Sequence, residues 1–256
     1  MALRSLQKWH GAGNDFLVEV AEQGATAWWT GERVRALCAR ATGVGADGLA
    51  LATLGAEVAM ELYNADGSRA EMSGNGIRCL TAAVQRATHA QWRELEVLTD
   101  AGRRTVTLSM DGDAGYASVS MGRVTFAESL PGTLGVAFVG NPHVVVRDDP
   151  EWSDAQREQL ASEWSTQIGG GNVEFVTVRD DAQIALRVIE RGVGWTRACG
   201  TGSCASAAVL HRRGLVEADV LVHNPGGALR VQLDVDDWAT LSGPVQFVAN
   251  VEWLEA

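Results

Sequence analysis

Two short segments of this chain are closely similar in sequence. Met72–Gly76 reads Met-Ser-Gly-Asn-Gly, and Ala198–Gly202 reads Ala-Cys-Gly-Thr-Gly. Each segment places a small nucleophilic side chain before a Gly-x-Gly turn, and helical sequence follows. The two nucleophiles, Ser73 and Cys199, are 126 residues apart in a chain of 256. This spacing predicts two similar halves, each presenting one reactive group to a shared cleft.

Other positions keep nearly the same separation. The further pairs are Gly13-Asn14 with Gly140-Asn141, Tyr63-Asn64 with Ile189-Glu190, and Gly45 with Gly171. Four coincidences in the same order indicate a duplicated unit of roughly 125 residues. A period this long predicts two domains rather than a solenoid.

Composition narrows the class of protein. Hydrophobic residues make up 46% and charged residues 21%, as in soluble globular proteins. The net charge of −11 argues against nucleic acid as the main partner. No segment approaches the roughly 20 apolar residues of a membrane span, and the N-terminus lacks a signal-peptide pattern. Four cysteines without CxxC spacing favour a reducing compartment, so we expect a cytoplasmic protein without a metal site.

Strand patterns outnumber helix patterns and occur in runs, which favours an α+β fold. The predicted strands are Val58–Tyr63, Leu95–Thr99, Thr105–Ser109, Ala117–Met121, Val173–Val178, Ile184–Glu190, Val220–His223 and Leu229–Val235. The predicted helices are Glu32–Ala41, Gly76–Thr88, Ser153–Ser165 and Gly202–Arg213. Met110–Gly115 is the best candidate for a boundary between the halves.

Cys199 is the strongest chemical signal. A cysteine that opens a helix lies near backbone N–H groups and the positive end of the helix dipole. We therefore expect its pKa to lie below the usual value of about 8.5. The alternative is a buried structural cysteine, which is how we interpret Cys38, Cys79 and Cys204.

Other polar residues also suggest a small anionic ligand. The helix N-termini at Gly76 and Gly202 can bind a carboxylate through N–H groups. Glu190 and Arg191 are suited to an ammonium group and a second carboxylate, although a surface ion pair explains the same spacing. His143 on its own is more typical of a structural histidine.

Together these motifs resemble the diaminopimelate epimerase family over nearly the whole chain. The motifs are His10–Phe16, Gly43–Gly48, Tyr63–Ser68, Gly74–Cys79, Gly140–His143, Asn172–Phe175, Glu190–Gly194 and Ala198–Gly202. The resemblance implies two pseudo-symmetric domains, each a mixed β-sheet curled around a central α-helix, with substrate between them. The expected domains are residues 1–115, joined by a C-terminal strand at about 244–256, and residues 116–243. The resemblance also implies that the protein uses no cofactor, acts on a small amino-acid substrate and can form a homodimer.

The resemblance assigns roles by position. Cys199 matches the second of two cysteines that exchange the α-proton on opposite faces of the substrate, and Ser73 stands where the first is expected. His143 and Glu190 match polar residues beside the reacting centre. The remaining matches bind substrate: Gly74, Asn75, Gly200 and Thr201 hold the reacting carboxylate, and Asn14, Asn64, Asn172 and Arg191 hold the distal end.

Ser73 is a departure from the family pattern, because an alcohol is far less acidic than a thiol. It is either an engineered substitution or a natural variant, and relatives that epimerise hydroxyproline use serine here. Trp195 also departs from the pattern and is expected to alter the wall of the cleft.

Three functions remain open at this point. The first is epimerisation of LL- and meso-diaminopimelate, weakened or altered by Ser73. The second is epimerisation or racemisation of another amino acid, of the histidine or hydroxyproline type. The third is amino-acid binding without catalysis.

Overall fold

The computed structural model describes residues 3–22 and 25–254, which divide into two compact units. Unit 1 comprises Met1–Val119 and Gly243–Ala256, and unit 2 comprises Ser120–Ser242. None of the helices in the described ranges has the length and apolar character that a membrane span needs.

Unit 1 is a mixed sheet around a central helix. Its strands are β1 (Leu3–Gly11), β2 (Asn14–Glu22), β3 (Gly48–Leu54), β4 (Val58–Asn64), β5 (Arg69–Ala70), β6 (Glu94–Thr99), β7 (Gly102–Asp111) and β8 (Ala114–Arg123). Its helices are a 3₁₀ turn (Ala25–Trp28), α1 (Gly31–Cys38) and α2 (Gly74–Thr88). The order β1-β2-β3-β4-β6-β7-β8 is antiparallel except for the pairs β2–β3 and β4–β6, and β5 pairs with β4.

Unit 2 repeats this plan. Its elements are β9 (Thr125–Ala127), β10 (Gly135–Val139), β11 (Asn141–Arg147), α3 (Asp154–Gln167), β12 (Asn172–Asp180), β13 (Gln183–Glu190), β14 (Gly194–Thr196), α4 (Gly200–Arg212), β15 (Asp219–Asn224) and β16 (Gly227–Leu233). The last strand, β17 (Trp238–Leu254), pairs with β16 through its first residues and with β1 through its later ones. The order β10-β11-β12-β13-β15-β16 is antiparallel except for β11–β12 and β13–β15.

The two units therefore share one topology. In unit 1 the strands β2 and β3 are parallel with a helix between them, and in unit 2 the same holds for β11 and β12. In each unit a short strand, β5 or β14, precedes the central helix. The central helices α2 and α4 begin at Gly74 and Gly200, again 126 residues apart. This confirms the predicted α+β fold of two pseudo-symmetric domains around central helices.

The central helices are buried on most of their surface, which explains their composition. The segment 74–84 of α2 is buried without interruption, and so is most of α4 between residues 200 and 210. A helix surrounded by a sheet cannot have a polar face, so glycine, alanine and small apolar residues fill it. The sheet then holds the N-terminus of each helix, with its capping residue, in a fixed place.

Some predicted boundaries differ from the structure. Met110–Gly115 contains the tight turn between β7 and β8, with Asp111 paired to Ala114, rather than a linker. The units instead divide within β8 and β17, because turn residues mark a hairpin as readily as a domain boundary. Helix α1 ends at Cys38 rather than Ala41, because N–H groups of the following loop bind the last helical carbonyls.

Candidate active site

Ser73 and Cys199 occupy equivalent positions as the N-caps of α2 and α4. Ser73 Oγ accepts a hydrogen bond from the Gly76 N–H at 3.1 Å, and Cys199 Sγ accepts one from the Gly202 N–H at 3.3 Å. Both capping residues have extended backbone angles, as N-caps require. Each reactive group therefore lies at the positive end of a buried helix, where N–H groups can also bind an anion.

The surroundings of Cys199 contradict the expectation of a lowered pKa. Burial raises the pKa of the Cys199 thiol well above its usual value, and the carboxylates of Glu190 and Glu174 raise it further. Hydrogen bonds from Thr201 and the Gly202 N–H favour the thiolate but do not offset these effects. The thiol is the resting form because the side chain is buried and because two acids approach it from β12 and β13. The local sequence reveals neither feature.

Glu190 is the acid most closely associated with Cys199. Burial raises the pKa of Glu190, and hydrogen bonds with the Thr196 hydroxyl and with Cys199 act in the opposite direction. Thr196 Oγ1 donates to Glu190 Oε1 at 2.5 Å. This contact links the end of β13 to β14 and fixes the carboxylate beside the thiol. Thr196 was not singled out from the sequence.

His143 is fully buried and lies between two oxygen atoms. Its Nδ1 is 2.6 Å from Glu174 Oε1, and its Nε2 is 2.9 Å from Asn141 Oδ1. The parallel pairing of His143 with Asn172 in β11 and β12 places this group at the start of both strands. Sequence reasoning assigned no role to Asn141 or Glu174, although the repeat relates Asn141 to Asn14.

Asn172 and Arg191 form the other polar cluster of unit 2. Asn172 Oδ1 accepts a hydrogen bond from the Arg191 backbone N–H at 3.0 Å. The Arg191 side chain is exposed, and no carboxylate of the described residues lies within ion-pair distance of its guanidinium. The alternative of a surface ion pair with Glu190 is therefore not observed, and Arg191 is available to an anion from solution.

In unit 1, Asn14 and Asn75 meet in a continuous hydrogen-bond chain. Arg78 donates to Asn75 Oδ1 at 2.7 Å, Asn75 Nδ2 donates to Asn14 Oδ1 at 3.0 Å, and Asn14 Nδ2 donates to Asp47 Oδ2 at 2.7 Å. A guanidinium can only donate and a carboxylate can only accept, so the two ends fix the orientation of both amides. The turn before Asn14 contributes too, because Ala12 and Gly13 both have positive φ, which suits a two-residue hairpin turn.

Asn64 lies at the end of β4, opposite Gly48 in β3. Its Nδ2 donates to Ser68 Oγ at 3.0 Å, and its side chain is exposed. Strand β3 begins directly after Asp47, and the parallel strand β2 begins at Asn14. Asn64 therefore lies on the same edge of the unit 1 sheet as Asn14.

Trp195 contacts α3 and the outer core of unit 2. Its ring lies 6.1 Å from Phe175 and 4.3 Å from the Arg187 guanidinium, and its Nε1 donates to Glu158 Oε1 at 2.7 Å. These contacts account for a large aromatic side chain at this position through packing with α3.

Within the described residues, no group of three or more His, Cys, Asp or Glu side chains is arranged to hold a metal ion. All four cysteines are free and buried. The polar groups at the starts of α2 and α4 are hydrogen-bond donors, carboxylates, an imidazole and a thiol. They are suited to proton transfer and anion binding.

Comparison with known proteins gives a consistent result along the whole chain. The family model for diaminopimelate epimerase matches residues 6–127 and 135–248. A diaminopimelate epimerase of Desulfitobacterium hafniense is 36% identical over 275 residues, which cover 97% of each chain. One from Rhizorhabdus wittichii is 38% identical and covers 96% of this chain and 93% of the relative.

Solved structures share the fold at much lower identity. A predicted epimerase from Pseudomonas aeruginosa has a TM-score of 0.79 at 15% identity, covering 99% of this chain and 100% of that one. A hydroxyproline epimerase from Agrobacterium vitis, with bound trans-4-hydroxy-L-proline, has a TM-score of 0.74 at 18% identity, covering 99% and 91%. At these identities the likeness concerns the fold alone.

Proposed function

Because the chain belongs to the diaminopimelate epimerase family, we propose that it interconverts LL- and meso-diaminopimelate without a cofactor. The observation that carries the proposal is the equivalent placement of Ser73 and Cys199 as caps of two buried helices. Epimerisation at an α-carbon requires removal of a proton from one face and delivery of a proton to the other. A repeated unit with one proton-transferring group in each copy suits that requirement.

In the proposed reaction, one group removes the α-proton and leaves a carbanion, which the other group then protonates. Cys199 starts as a thiol, so it delivers a proton directly in one direction. In the other direction it must first lose its proton, and the adjacent Glu190 carboxylate is the acceptor. His143 supports this region as a hydrogen-bonding group between Glu174 and Asn141.

Ser73 makes the two directions unequal. A hydroxyl can give its proton to a carbanion, and the alkoxide that remains then takes a proton from solvent. To act as a base, Ser73 would have to start as that alkoxide, which is far less accessible than a thiolate. No acidic or basic side chain of the described residues hydrogen-bonds to Ser73 Oγ, which accepts a hydrogen bond from the Gly76 N–H. We therefore propose that proton removal by Cys199 is the faster of the two half-reactions.

Substrate binding is proposed to use both helix N-termini and both polar clusters. Gly74, Asn75, Gly200 and Thr201 lie in the first turns that would bind the reacting carboxylate. Asn14, Asn64, Asn172 and Arg191 would bind the distal amino-acid group. Asn141 joins this set by its equivalence to Asn14 in the repeat. An unpaired Arg191 favours a substrate with a second carboxylate, because a simple amino acid would leave the guanidinium without a partner.

The test is to incubate the purified protein with pure LL-diaminopimelate and follow the meso form by chiral chromatography. We expect conversion without added pyridoxal phosphate, and conversion that persists in EDTA. Binding measured by calorimetry, with neither conversion nor exchange of the α-proton, would instead identify a non-catalytic binding protein. We propose that the protein carries out this reaction in the cytoplasm, as a monomer or homodimer.

A second candidate is epimerisation of hydroxyproline or another amino acid, and Ser73 is the observation that favours it. The same chromatographic assay is run with trans-4-hydroxy-L-proline and L-histidine in parallel. Turnover of either one at a higher kcat/KM than diaminopimelate would replace the first proposal. The available Arg191 guanidinium predicts the opposite ranking.

A further inference from the structure

Glu174 is a fully buried acid in unit 2 to which the proposed reaction assigns no role. Neither the Glu174 nor the His143 side chain has any exposed surface, and the two are 2.6 Å apart at their nearest atoms. Glu174 Oε2 has no hydrogen-bond partner within the described part of the chain. Such a pair is expensive to bury and is often replaceable by apolar residues, so stability alone explains it poorly.

With the Asn141 oxygen facing the ring, the contacts of the imidazole indicate how many protons this pair carries. Each ring nitrogen of His143 faces an oxygen atom, Glu174 Oε1 on one side and Asn141 Oδ1 on the other. A neutral imidazole has only one N–H, so two such hydrogen bonds need a second proton. That proton lies between Nδ1 and Oε1. With it on either atom, the pair has zero net charge and Nε2 keeps its own proton.

Two further features agree with a shared proton. Burial raises the pKa of Glu174, although contact with His143 acts in the opposite direction. A carboxyl group that shares a proton also tolerates an unpartnered Oε2 better than a free carboxylate would. The net neutral pair is the form that a fully buried site accommodates most easily.

Glu174 also lies directly against the first turn of α4. A Cβ atom at Gly202 would be 2.7 Å from Glu174 Oε1 and 3.3 Å from Cys199 Sγ. Contact with α4, the helix that Cys199 caps, therefore fixes the position of the Glu174 carboxyl group. That carboxyl group in turn fixes the position of His143 relative to α4.

We propose that Glu174 is a positioning residue for His143. The Glu174 carboxyl group shares a proton with His143 Nδ1, so that Nε2 remains protonated and directed at Asn141. The Asn141 amide is thereby held with its oxygen toward the imidazole and its NH₂ group free to face a ligand. This inference rests on the proposed function, in which His143 and Asn141 belong to the substrate site.

Two substitutions separate positioning from structural support. Glu174→Leu removes the partner of Nδ1 but leaves an apolar side chain suited to burial. We expect kcat to fall by about 10-fold to about 10⁴-fold, with little change in KM. The upper value is the loss seen when the acid that orients the histidine of a serine-protease triad is neutralised. Glu174→Gln should recover much of the activity, because its amide can donate to Nδ1 while Nε2 stays protonated. Glu151→Leu, at an exposed acid, is the matched control and should retain wild-type kcat.

A double-mutant cycle shows whether Glu174 acts through His143. In a His143→Leu background, Glu174→Leu should cause no further loss of kcat, because the group it positions is absent. Thermal unfolding of each variant checks that the fold is retained. Wild-type kcat in Glu174→Leu, or an equal loss in both backgrounds, would overturn the proposal.

A spectroscopic measurement tests the proton count independently of activity. The chain has five histidines, so ¹⁵N spectra of the His143→Leu variant identify the signals of His143. We expect Nε2 to be protonated and Nδ1 to show a shared proton, which becomes a bare nitrogen in Glu174→Leu. A bare Nε2 in the wild type contradicts the inference. If the wild type does not epimerise diaminopimelate, the proposed function fails while this measurement remains decisive for Glu174.

Discussion

Ser73 is the residue at which the chain differs most from a two-cysteine mechanism. Replacing it by cysteine supplies a more acidic proton donor and a more accessible base at the N-cap of α2. We predict that Ser73→Cys raises the rate of epimerisation by about 10²–10⁴, the usual contribution of a positioned acid–base group. Initial rates from LL-diaminopimelate measure the effect.

The control for this substitution is Ser109→Cys, at an exposed position of β7. It introduces the same thiol at a residue to which the proposed reaction assigns no role, and it should leave the rate unchanged. An unchanged or lower rate in Ser73→Cys would show that Ser73 does not stand in for a catalytic cysteine.

Cys199 gives a prediction about alkaline stability. Its pKa is raised in the folded state, so above the unfolded value of about 8.5 the folded protein binds more protons than the unfolded one. The free energy of unfolding therefore falls as the pH rises above about 8.5, by up to about 1.4 kcal/mol per pH unit for this group. Cys38 and Cys79, whose pKa values are raised to about 12, add to the same decline.

Urea unfolding at pH 8 and pH 10 measures this dependence. Cys199→Ala should show a shallower decline than the wild type, whereas Ser203→Ala, a buried neighbour without a titrating group, should match it. An identical decline in Cys199→Ala and wild type would show that the thiol is not held protonated by its surroundings.

For individual residues, the sequence was a better guide to their positions in the fold than to their pKa values and contacts. The Gly-x-Gly pattern correctly placed Cys199 at a helix N-terminus. It gave the wrong direction for the pKa, because the burial of the thiol and its closeness to Glu190 and Glu174 depend on packing and strand pairing between distant segments. Glu174 and Asn141 both lie within sequence motifs, but the contact of Glu174 with His143 forms only when β11 and β12 pair.

At the scale of elements, the first turn of α4 has no space for a side chain at Gly202. A methyl group there would approach Glu174 Oε1 to 2.7 Å, and Cys199 Sγ lies close behind. We predict that Gly202→Ala destabilises the fold by about 1–3 kcal/mol, the usual cost of overpacking, despite the higher helix propensity of alanine. Urea unfolding measures the change.

Gly55→Ala is the matched control, since the nearest atom to its Cβ would be 3.7 Å away. It should change stability by less than about 1 kcal/mol. Equal effects of the two substitutions would mean that the first turn of α4 adapts to a side chain and does not hold Glu174 in place.

The elements themselves were largely predictable where their periodicity was long. The four predicted helices and the eight predicted strands appear close to their expected positions. The helix predicted from Ser153 begins one residue later, with Ser153 as its N-cap. The strands β1 and β10 were not among those predicted. The short strands β5, β9 and β14 were not predicted, because two or three residues carry no alternation. These strands depend on pairing with longer neighbours.

For the whole molecule, the internal repeat was the most informative property of the sequence. It predicted two units, and the two sheets share one strand order and one pattern of parallel pairs. The expected boundary at residue 115 and the expected return of the C-terminal strand at about 244 lie close to the observed divisions, between Val119 and Ser120 and between Ser242 and Gly243. We propose that the two copies, which share a fold but carry Ser73 and Cys199 at the equivalent position, serve unequal roles in one reaction.

The most direct test of that inequality is proton exchange in D₂O with pure LL- and pure meso-diaminopimelate, followed by mass spectrometry at early times. If Cys199 is the effective base and Ser73 is not, deuterium enters from one stereoisomer much faster than from the other. The Ser73→Cys variant should bring the two rates closer together. Equal rates from both stereoisomers in the wild type would contradict the account, because they would make Ser73 as competent a base as Cys199.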